Sequence, residues 1–479
     1  MSSFASLIAT RMQKFQLVLD KAKFGAKSYQ YDGVKWCIEN ELRPKPPGNC
    51  RGGFIADEMG LGKTIIMIGA IFTNFVRRTL IVVPPVLIQQ WHNEILNATG
   101  HNALLYYGKG KKNITQNDVN NAPIVLTSYN TILQKNCLIN NVVWSRVIFD
   151  EAHHLRNSNT QRFDACKNIR TRICWLVTGT PIQNRQKDFN NLCSLIGLKS
   201  ETYLNMDVMK QFYILRRTKI QVGIDLPPVN VSKRVIDWQT RPEMLLAEEM
   251  HSLIKLSNVS ANKINKLGHI IGKTCPLVSL LRCRQVCVLP GLLNKQLESL
   301  VDDGFIQPEY LNSTKTTSKL DSVIDIILER KDNGKGKIIF CHFREEIDII
   351  VQRLLKGGMS KVVRYDGRNS GGENLLTLAE PADALVIQIQ TGCEGLNLQD
   401  HFSEIYFVSP HWNPAVEDQA VARCHRIGQT KAVDVFKFEM SGFGMNEATL
   451  KNTSTLDTYI NKVQTNKREM VKEMFALDN

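Results

Sequence analysis

The sequence predicts an α/β protein with two lobes, each built on a parallel β-sheet, and a helical insertion between them. The chain has 479 residues, and at roughly 100 to 200 residues per domain this length allows several domains. Short β-branched runs recur in both halves, separated by segments long enough for crossover helices. Between the halves, over residues 222–315, the strand signal weakens.

Eight short runs have the composition of buried strands. Those of the first half are residues 79–83, 124–127, 146–149 and 175–178. Those of the second half are residues 337–343, 361–365, 384–389 and 404–408. Helical periodicity between strands, as in residues 345–355, predicts parallel pairing in each half. The middle of the chain is helix-like at 241–256 and 277–287, and residues 456–475 predict a Lys-rich amphipathic helix.

The composition is that of a folded, water-soluble protein, with 43% hydrophobic and 22% charged residues. A net charge of +14 favours a polyanionic partner such as nucleic acid. Apolar stretches are shorter than the roughly 18 residues of a membrane-spanning helix, so no membrane partner is expected. Twelve cysteines without a CxxC pair indicate reduced thiols and no zinc site.

A glycine-rich loop, DEMGLGKT, lies between a candidate strand at residues 53–56 and a candidate helix at 65–75. Its glycines let backbone N–H groups turn toward phosphate oxygens, and Lys63 can reach the β- and γ-phosphates of a nucleotide. The Thr64 hydroxyl can bind Mg²⁺. The full GxxxxGK[ST] pattern has Gly where Asp57 stands, so the match is to the shorter GxGK[ST] form.

A second apolar strand ends in the tetrapeptide DEAH, where a nucleotide hydrolase places acids at the carboxyl edge of its sheet. Asp150 would hold Mg²⁺, and Glu151 would orient or deprotonate the attacking water. An isolated Asp-Glu pair is ordinarily a solvated loop, but the phosphate loop upstream weakens that interpretation. His153 either couples this site to the next motif or is a hydrogen-bonded structural histidine.

The ordered motifs resemble those of the Swi/Snf-type DNA-dependent ATPases of helicase superfamily two. The motifs of the first half are SYQ at 28–30, DEMGLGKT at 57–64, VVPP at 82–85, QW at 90–91, TSY at 127–129, DEAH at 150–153, TGTPIQN at 178–184 and LRRTK at 215–219. Those of the second half are RCRQVC at 282–287, IIFC at 338–341, TGCEGLNLQ at 391–399, WNP at 412–414 and QAVARCHRIGQ at 419–429. The chain is most similar to the branch that often carries a RING finger, but it contains no RING-like cysteine and histidine series.

The resemblance implies two RecA-like lobes and five segments. Residues 1–25 are an N-terminal extension, and residues 26–221 form the first RecA-like, ATP-binding lobe. Residues 222–315 are a helical protrusion and linker. Residues 316–445 form the second RecA-like lobe, the helicase C-terminal lobe, and 446–479 form a C-terminal helical tail.

The resemblance also implies the site residues. The catalytic residues are Lys63, Asp150, Glu151, Gln419, Arg423 and Arg426. The ATP-binding residues are Tyr29, Gln30, Asp57, Gly60, Gly62, Lys63, Thr64, Gly395 and Asn397. The nucleic-acid contacts are Thr127, Ser128, Thr391 and Trp412. Mg²⁺ is held by Thr64 and Asp150.

A helix is predicted over residues 414–427, because Asn-Pro is a typical helix start and a glycine follows its end. On this helix Gln419, Arg423 and Arg426 share one face. The planar guanidinium group can neutralise charge on a γ-phosphate, so the two arginines are the candidate arginine fingers. The alternative, a pair of exposed surface arginines, is weakened by the surrounding motif.

Several features leave alternatives open. Cys393 stands where the resembled family has Gly, and the segment between 184 and 215 is short for that family. Trp91 and Trp412 are either core aromatics or DNA-adjacent residues. A basic loop around residues 109–112 is either a solvated face or an extension of the DNA footprint.

The resemblance implies an ATP- and Mg²⁺-dependent translocase on double-stranded DNA that remodels or displaces nucleoprotein in transcription, repair or chromatin. Its partners would be a nucleosome, a transcription complex or a repair complex. Two alternatives are a catalytically weak DNA-binding scaffold and a strand-separating helicase. The expected location is the nucleus, with a viral cytoplasmic factory or virion as the alternative.

Overall fold

The structure is a computed structural model that describes residues 2–22, 27–179, 186–252, 276–302, 308–368, 382–392, 396–446, 451–452 and 454–474. The chain divides into two compact units, Met1–Asp225 and Leu226–Asn479. Each unit contains its own parallel sheet.

The described residues of the first unit form a seven-stranded parallel sheet. Its strands are β1 (Arg51–Ile55), β2 (Thr79–Val83), β3 (Leu104–Leu105), β4 (Ile124–Ser128), β5 (Trp144–Asp150), β6 (Thr171–Val177) and β7 (Ile214–Leu215). Their order across the sheet is β3-β4-β2-β5-β6-β1-β7. Because neighbouring strands are parallel, the loops that follow β1, β5 and β6 leave the sheet at one edge.

Helices cover this sheet and bury its apolar side chains. They are α1 (Ser2–Ala22), α2 (Ser28–Leu42), α3 (Lys63–Thr73), α4 (Ile88–Thr99), α5 (Gln116–Asn121), α6 (Tyr129–Ile132), α7 (Gln161–Lys167), α8 (Gln186–Leu195), α9 (Ser200–Tyr203) and α10 (Met206–Val208). The first helix belongs to this packing, since Ile8, Met12 and Phe15 of α1 are buried in the same core as α3 and α4.

A buried ion pair joins α2 to the sheet. The Arg146 guanidinium of β5 binds the Glu41 carboxylate of α2, and both side chains are fully buried. Glu41 also accepts hydrogen bonds from Trp175 Nε1 at 2.8 Å and from Asn74 Nδ2 at 2.7 Å. A buried charge needs such partners, so this network fixes the position of α2, which carries two of the predicted ATP-binding residues.

The described residues of the second unit form a six-stranded parallel sheet. Its strands are β8 (Val229–Ile236), β9 (Gly336–Cys341), β10 (Val362–Tyr365), β11 (Ala384–Gln388), β12 (Phe402–Phe407) and β13 (Val433–Met440). Their order is β10-β11-β9-β12-β13-β8. A short antiparallel hairpin follows, β14 (Met445–Asn446) with β15 (Lys451–Asn452).

Helices pack on both faces and at one end of the second sheet. They are α11 (Arg241–Ser252), α12 (Pro276–Val288), α13 (Asn294–Asp302), α14 (Ser318–Glu329), α15 (Arg344–Lys356), α16 (Ile389–Gly392), α17 (Pro414–Val421) and α18 (Leu456–Met474). Separate apolar clusters lie on the two sheet faces, and a third joins α11, α12 and α18. No helix in the described ranges is long and apolar enough to cross a membrane.

The prediction of two α/β lobes with parallel sheets is confirmed. The structure differs from the expectation at β8, a strand within the segment predicted as helix and linker. This strand lies at the edge of the second sheet and is largely exposed. Its sequence, VNVSKRVI, lacks the apolar run of a buried strand, and it is held by pairing with β13, whose partner residues are 204 positions away.

Candidate functional site

The glycine-rich loop connects β1 to α3 and is closed by a tight backbone turn. Gly60 and Gly62 have φ values of 88° and 74°, in the left-handed region that favours glycine. Gly62 precedes α3 and offers no side-chain cap, and the amides of a helix's first turn point toward an anion placed at its N-terminus. A Cβ on Gly62 would lie 2.5 Å from Gln30 Nε2, so a larger residue here would displace the Gln30 side chain as well as strain the backbone.

Lys63 is the first residue of α3, and its ammonium group lies over the loop. Nζ donates to the carbonyl oxygens of Asp57 at 3.0 Å and Glu58 at 3.4 Å. A Cβ placed on Gly179, in the loop after β6, would lie 3.4 Å from the same nitrogen. The lysine therefore stands where the loops after β1 and β6 meet, and Thr64 follows it in the first turn of α3.

Asp57, which departs from the full phosphate-loop pattern, binds an arginine. Its carboxylate is fully buried and accepts from the Arg217 backbone N–H at 2.9 Å, from Nε at 3.1 Å and from Nη2 at 2.5 Å. The Asp57 side chain was predicted to bind ATP. In the structure this carboxylate binds Arg217 and so ties the start of the loop to the segment after β7.

Tyr29 and Gln30 lie beside the same loop. Gln30 Nε2 donates to Leu61 O at 3.2 Å, and its Oε1 accepts from Lys27 N at 2.9 Å. The Arg217 guanidinium lies 5.5 Å from the Tyr29 ring centroid and donates to the Tyr29 carbonyl at 2.5 Å. Arg217 thus connects α2 and the glycine-rich loop, a role that the sequence analysis missed. No local pattern in the sequence indicated this pairing, because Arg217 and Asp57 are 160 residues apart.

Asp150 ends β5 and is held by a tryptophan. Trp91 is 1% exposed, and its Nε1 donates to Asp150 Oδ2 at 2.7 Å. Burial, reinforced by the charge of Glu151, raises the pKa of Asp150 to about 7, while the Trp91 hydrogen bond and the Lys63 ammonium act in the opposite direction. Of the two interpretations of Trp91, the structure favours a core residue, which here also orients a predicted metal ligand.

Glu151 occupies a strained backbone conformation, with a φ of 48°. Its backbone N–H donates to Asp150 Oδ1 at 2.9 Å. Its carboxylate lies 3.2 Å from His153 Nδ1, which is also 3.5 Å from Thr178 Oγ1. The ring therefore lies between the acid pair and the motif that follows β6, an arrangement that both interpretations of His153 share.

Thr127 and Ser128 differ from their predicted role as hydroxyl contacts to DNA. Both are buried; Thr127 Oγ1 donates to Tyr106 O at 2.9 Å, and Ser128 Oγ caps α6 by accepting from Thr131 N at 3.2 Å. Their hydroxyls make hydrogen bonds within the protein, at the end of β4 and the start of α6, and do not face solvent. The next residue, Tyr129, donates to Asp150 O at 2.6 Å and so links this motif to the acid pair.

In the second unit, the predicted helix over 414–427 is wrong in its second half. α17 ends at Val421, and the chain continues in tight turns, with Cys424 N bonded to Val421 O at 3.0 Å. The side chain of Gln429 imposes this path, because its Nε2 donates to the carbonyl oxygens of Gln399, Phe402 and Cys424 at 3.0 to 3.3 Å. The arginine pair therefore lies on a turn beyond the helix.

The turn brings two predicted site residues together. The Arg426 guanidinium donates to Asn397 Oδ1, and the Arg423 carbonyl accepts from Leu398 N at 3.0 Å. The motif around 396–399 and the arginine motif are thus joined within this unit. Gln419 is buried in α17, 3% exposed.

The other residues that the sequence analysis named in the second half of the chain lie in other elements or outside the described residues. Trp412 is half-buried, with Arg284 at 5.8 Å from its ring centroid and Tyr459 of α18 edge-on at 6.2 Å. Thr391 lies in α16. Gly395 and Cys393 lie outside the described residues, as do residues 180–184 of the TGTPIQN motif.

Comparison with known proteins agrees with these motifs. Residues 29–205 match the SNF2-related domain, and residues 318–428 match the helicase conserved C-terminal domain. An uncharacterized ATP-dependent helicase of Mycoplasma genitalium is 29% identical over 97% of this chain and 44% of its own length. A probable global transactivator of Orgyia pseudotsugata multicapsid polyhedrosis virus is 26% identical over 91% of this chain and 90% of its own length.

The chain spans less than half the length of the mycoplasma relatives. Among solved structures, the Pyrococcus furiosus Hef helicase domain is similar in fold, with a TM-score of 0.55 and 17% identity over 87% of this chain and 95% of that one. The SNF2-related domain followed by the helicase C-terminal domain places the chain in the SNF2 family of ATP-dependent helicases, the Swi/Snf-type members of helicase superfamily two.

Proposed function

We propose that the chain hydrolyses ATP in a cycle stimulated by double-stranded DNA, and that it moves along the duplex to remodel or displace nucleoprotein. The observation that carries the proposal is the grouping of Lys63, Asp150 and Glu151 at one edge of the first sheet. The strands that end there, β1, β6 and β5, are adjacent, and the Lys63 charge is near enough to lower the pKa of Asp150.

The residues of this edge divide the chemistry. The amides at the start of α3 and the Lys63 ammonium bind the phosphates, because both present positive charge to them. Glu151 orients the attacking water, since phosphoryl transfer depends mainly on positioning and on neutralising charge. His153 holds the Glu151 carboxylate in place.

The acid pair fits a magnesium ion. Two adjacent carboxyl groups, with Asp150 only 7% exposed and its pKa raised by burial, are a site that a divalent cation would stabilise. Asp150 and the Thr64 hydroxyl would hold it. When bound with ATP, Mg²⁺ supplies neutralising charge for the β- and γ-phosphates.

Gln419, Arg423 and Arg426 belong to the second unit. We propose that the two guanidinium groups stabilise the negative charge that develops on the transferred phosphoryl group. The Asn397 side chain supports this role by orienting Arg426.

Several features support a DNA duplex as partner. The net charge is +14, and a basic loop with Lys109, Lys111 and Lys112 follows β3. Thr127 holds the start of this loop through its hydrogen bond to the Tyr106 carbonyl. Thr127 would therefore act on DNA indirectly, by placing lysines that contact phosphates and supply affinity that falls with salt.

The same region is poor in acidic residues. Between Glu94 and Asp150 the sequence contains one acid, Asp118, so little negative charge opposes a phosphate backbone there. We propose a nucleosome, a transcription complex or a repair complex as the nucleoprotein substrate and the nucleus as the location. The viral relative supports a viral cytoplasmic factory or virion as the alternative.

The test introduces the substitution Glu151→Gln and measures ATP binding and ATP turnover with and without duplex DNA. We expect the variant to bind ATP as the unaltered chain does and to lose turnover by about a thousandfold, because it keeps the shape of the side chain and removes its charge. Glu201→Gln, an exposed Glu in the same unit, is the matched control and should retain full activity.

Two outcomes would contradict the proposal. Retained hydrolysis in Glu151→Gln removes Glu151 from its role. Turnover by the unaltered chain that does not respond to duplex DNA favours a scaffold instead. Displacement of a triplex-forming strand without separation of the duplex distinguishes translocation from strand separation.

A further inference from the structure

The start of α18 is fixed by polar contacts with two other helices and a strand. Leu456 N donates to His251 Nε2 of α11 at 3.0 Å. The Asp457 carboxylate is fully buried, pairs with Lys319 Nζ of α14 at 2.5 Å and accepts from Met440 N at 3.1 Å. Since buried charges require such geometry, these contacts set the register of α18 on the second unit.

Further along α18, polar side chains bind the segment that leads into α17. Gln464 is 3% exposed, and its Nε2 donates to the His411 carbonyl at 2.5 Å and to Glu417 Oε1 at 2.6 Å. Lys467 Nζ donates to the Trp412 carbonyl at 2.9 Å. Arg468 pairs with Asp418 at 2.7 Å at the surface.

Glu417 is the centre of this network. It is 1% exposed, and its Oε1 also accepts from the His411 backbone N–H at 2.8 Å. Its Oε2 pairs with Lys437 of β13. Gln464 therefore donates to two groups that are already linked. One is the His411 carbonyl, and the other is the Glu417 carboxylate, which accepts from the His411 backbone N–H.

The apolar contacts of α18, through Leu456 and Ile460, are enough to bury the helix against the third cluster. They do not fix a unique position, because apolar packing has no direction. The contacts of Gln464 and Lys467 are directional, and all of them are made to residues 411–417. They therefore join α18 to the segment that leads into α17 and to the first turns of that helix.

We propose that α18 is a positioning element for the arginine motif, with Gln464 as its principal positioning residue acting through Glu417. This inference rests on the proposed ATP hydrolysis and deepens it. Gln464 touches no reacting atom; it fixes the entry to α17, whose far end leads into Arg423 and Arg426. A displacement of a catalytic group by about 1 Å can cost up to about a hundredfold in rate.

The experiment introduces the substitution Gln464→Met into the full chain. Methionine preserves the length and bulk of the side chain and removes its amide donors. Asn466→Met, at an exposed position of the same helix, is the matched control. We expect kcat for DNA-stimulated ATP hydrolysis to fall about tenfold in Gln464→Met, with the KM for ATP changed less than twofold, since the glycine-rich loop and Lys63 belong to the first unit. The control should match the unaltered chain.

A double-mutant cycle separates positioning from loss of folded protein. In a chain that already carries Arg423→Ala and Arg426→Ala, Gln464→Met should lower the residual rate less than twofold, because its effect passes through the arginines. An equal tenfold loss in both backgrounds, or no loss in the unaltered background, overturns the proposal.

The two proposals fail in different ways. If the arginine variants retain full turnover, the proposed function fails at its arginines; if they lose it and Gln464→Met is silent, the role of α18 alone fails. Should Gln464→Met not fold, Lys467→Met and Lys467→Arg replace it. Arginine keeps a donor for the Trp412 carbonyl, so kcat should fall in Lys467→Met and recover in Lys467→Arg. Equal rates in these two variants would refute the proposal.

Discussion

Replacement of Asp57→Gly brings the loop into the full GxxxxGK[ST] pattern, and the structure predicts that this change is harmful. Asp57 is fully buried and accepts three hydrogen bonds from Arg217. Glycine removes the acceptor and frees the backbone at the start of the loop. We expect weaker ATP binding and lower stability of the first unit, although the sequence pattern becomes more complete.

The magnitudes follow from burial. Hydrogen bonds to a charged group contribute about 1.5 to 3 kcal/mol. After Asp57→Gly, the Arg217 side chain, which is 17% exposed, still donates to the Tyr29 carbonyl. The change should therefore lower the free energy of unfolding by about 2 to 3 kcal/mol. Arg217→Ala should cost more, about 3 to 5 kcal/mol, because it leaves a fully buried carboxylate unpaired. The double variant should cost less than the sum, with a coupling of about 2 kcal/mol.

Urea unfolding followed by tryptophan fluorescence measures the stability of each variant, and titration with a fluorescent ATP analogue measures binding. Glu201→Gln serves as the surface control for both. The reasoning is refuted if Asp57→Gly binds ATP as tightly as the unaltered chain, or if the two single changes add without coupling.

Two further predictions concern buried side chains. Trp91→Phe keeps an aromatic ring but removes the N–H that binds Asp150, so kcat/KM for ATP should fall about tenfold or more while thermal unfolding shifts by only a few degrees; an unchanged kcat/KM would exclude the contact from the mechanism. Burial lowers the pKa of His251 to about 4, below the value of about 6.5 expected in the unfolded chain. The unfolded chain therefore takes up this proton first as the pH falls. The free energy of unfolding of the second unit should decrease between pH 6.5 and 4 by up to about 3 kcal/mol, an effect that urea midpoints at several pH values will show and that His251→Gln should reduce.

Local patterns in the sequence predicted nine strands of the two sheets and the first-unit motifs closely, but they missed β3, β7, β8 and β13. β2 has the predicted bounds 79–83, and the acid pair ends a buried strand as expected. Such features depend on side-chain periodicity over a few residues and on the backbone freedom of glycine, which are properties of a short segment. The identity of the phosphate loop, the acid pair and the arginine motif is of this kind.

Tertiary structure decided which polar groups meet. Arg217 and Asp57 are 160 residues apart, and Trp91 and Asp150 are 59 apart. The order of strands across each sheet brings such partners together, and a pattern of nearby residues does not contain that order. The early end of α17 has the same origin, because the Gln429 amide is drawn to carbonyl oxygens of residues up to 30 positions away. The sequence by itself therefore determined the fold class and the chemistry of the motifs, whereas the packed sheets determined which side chains hold them in place.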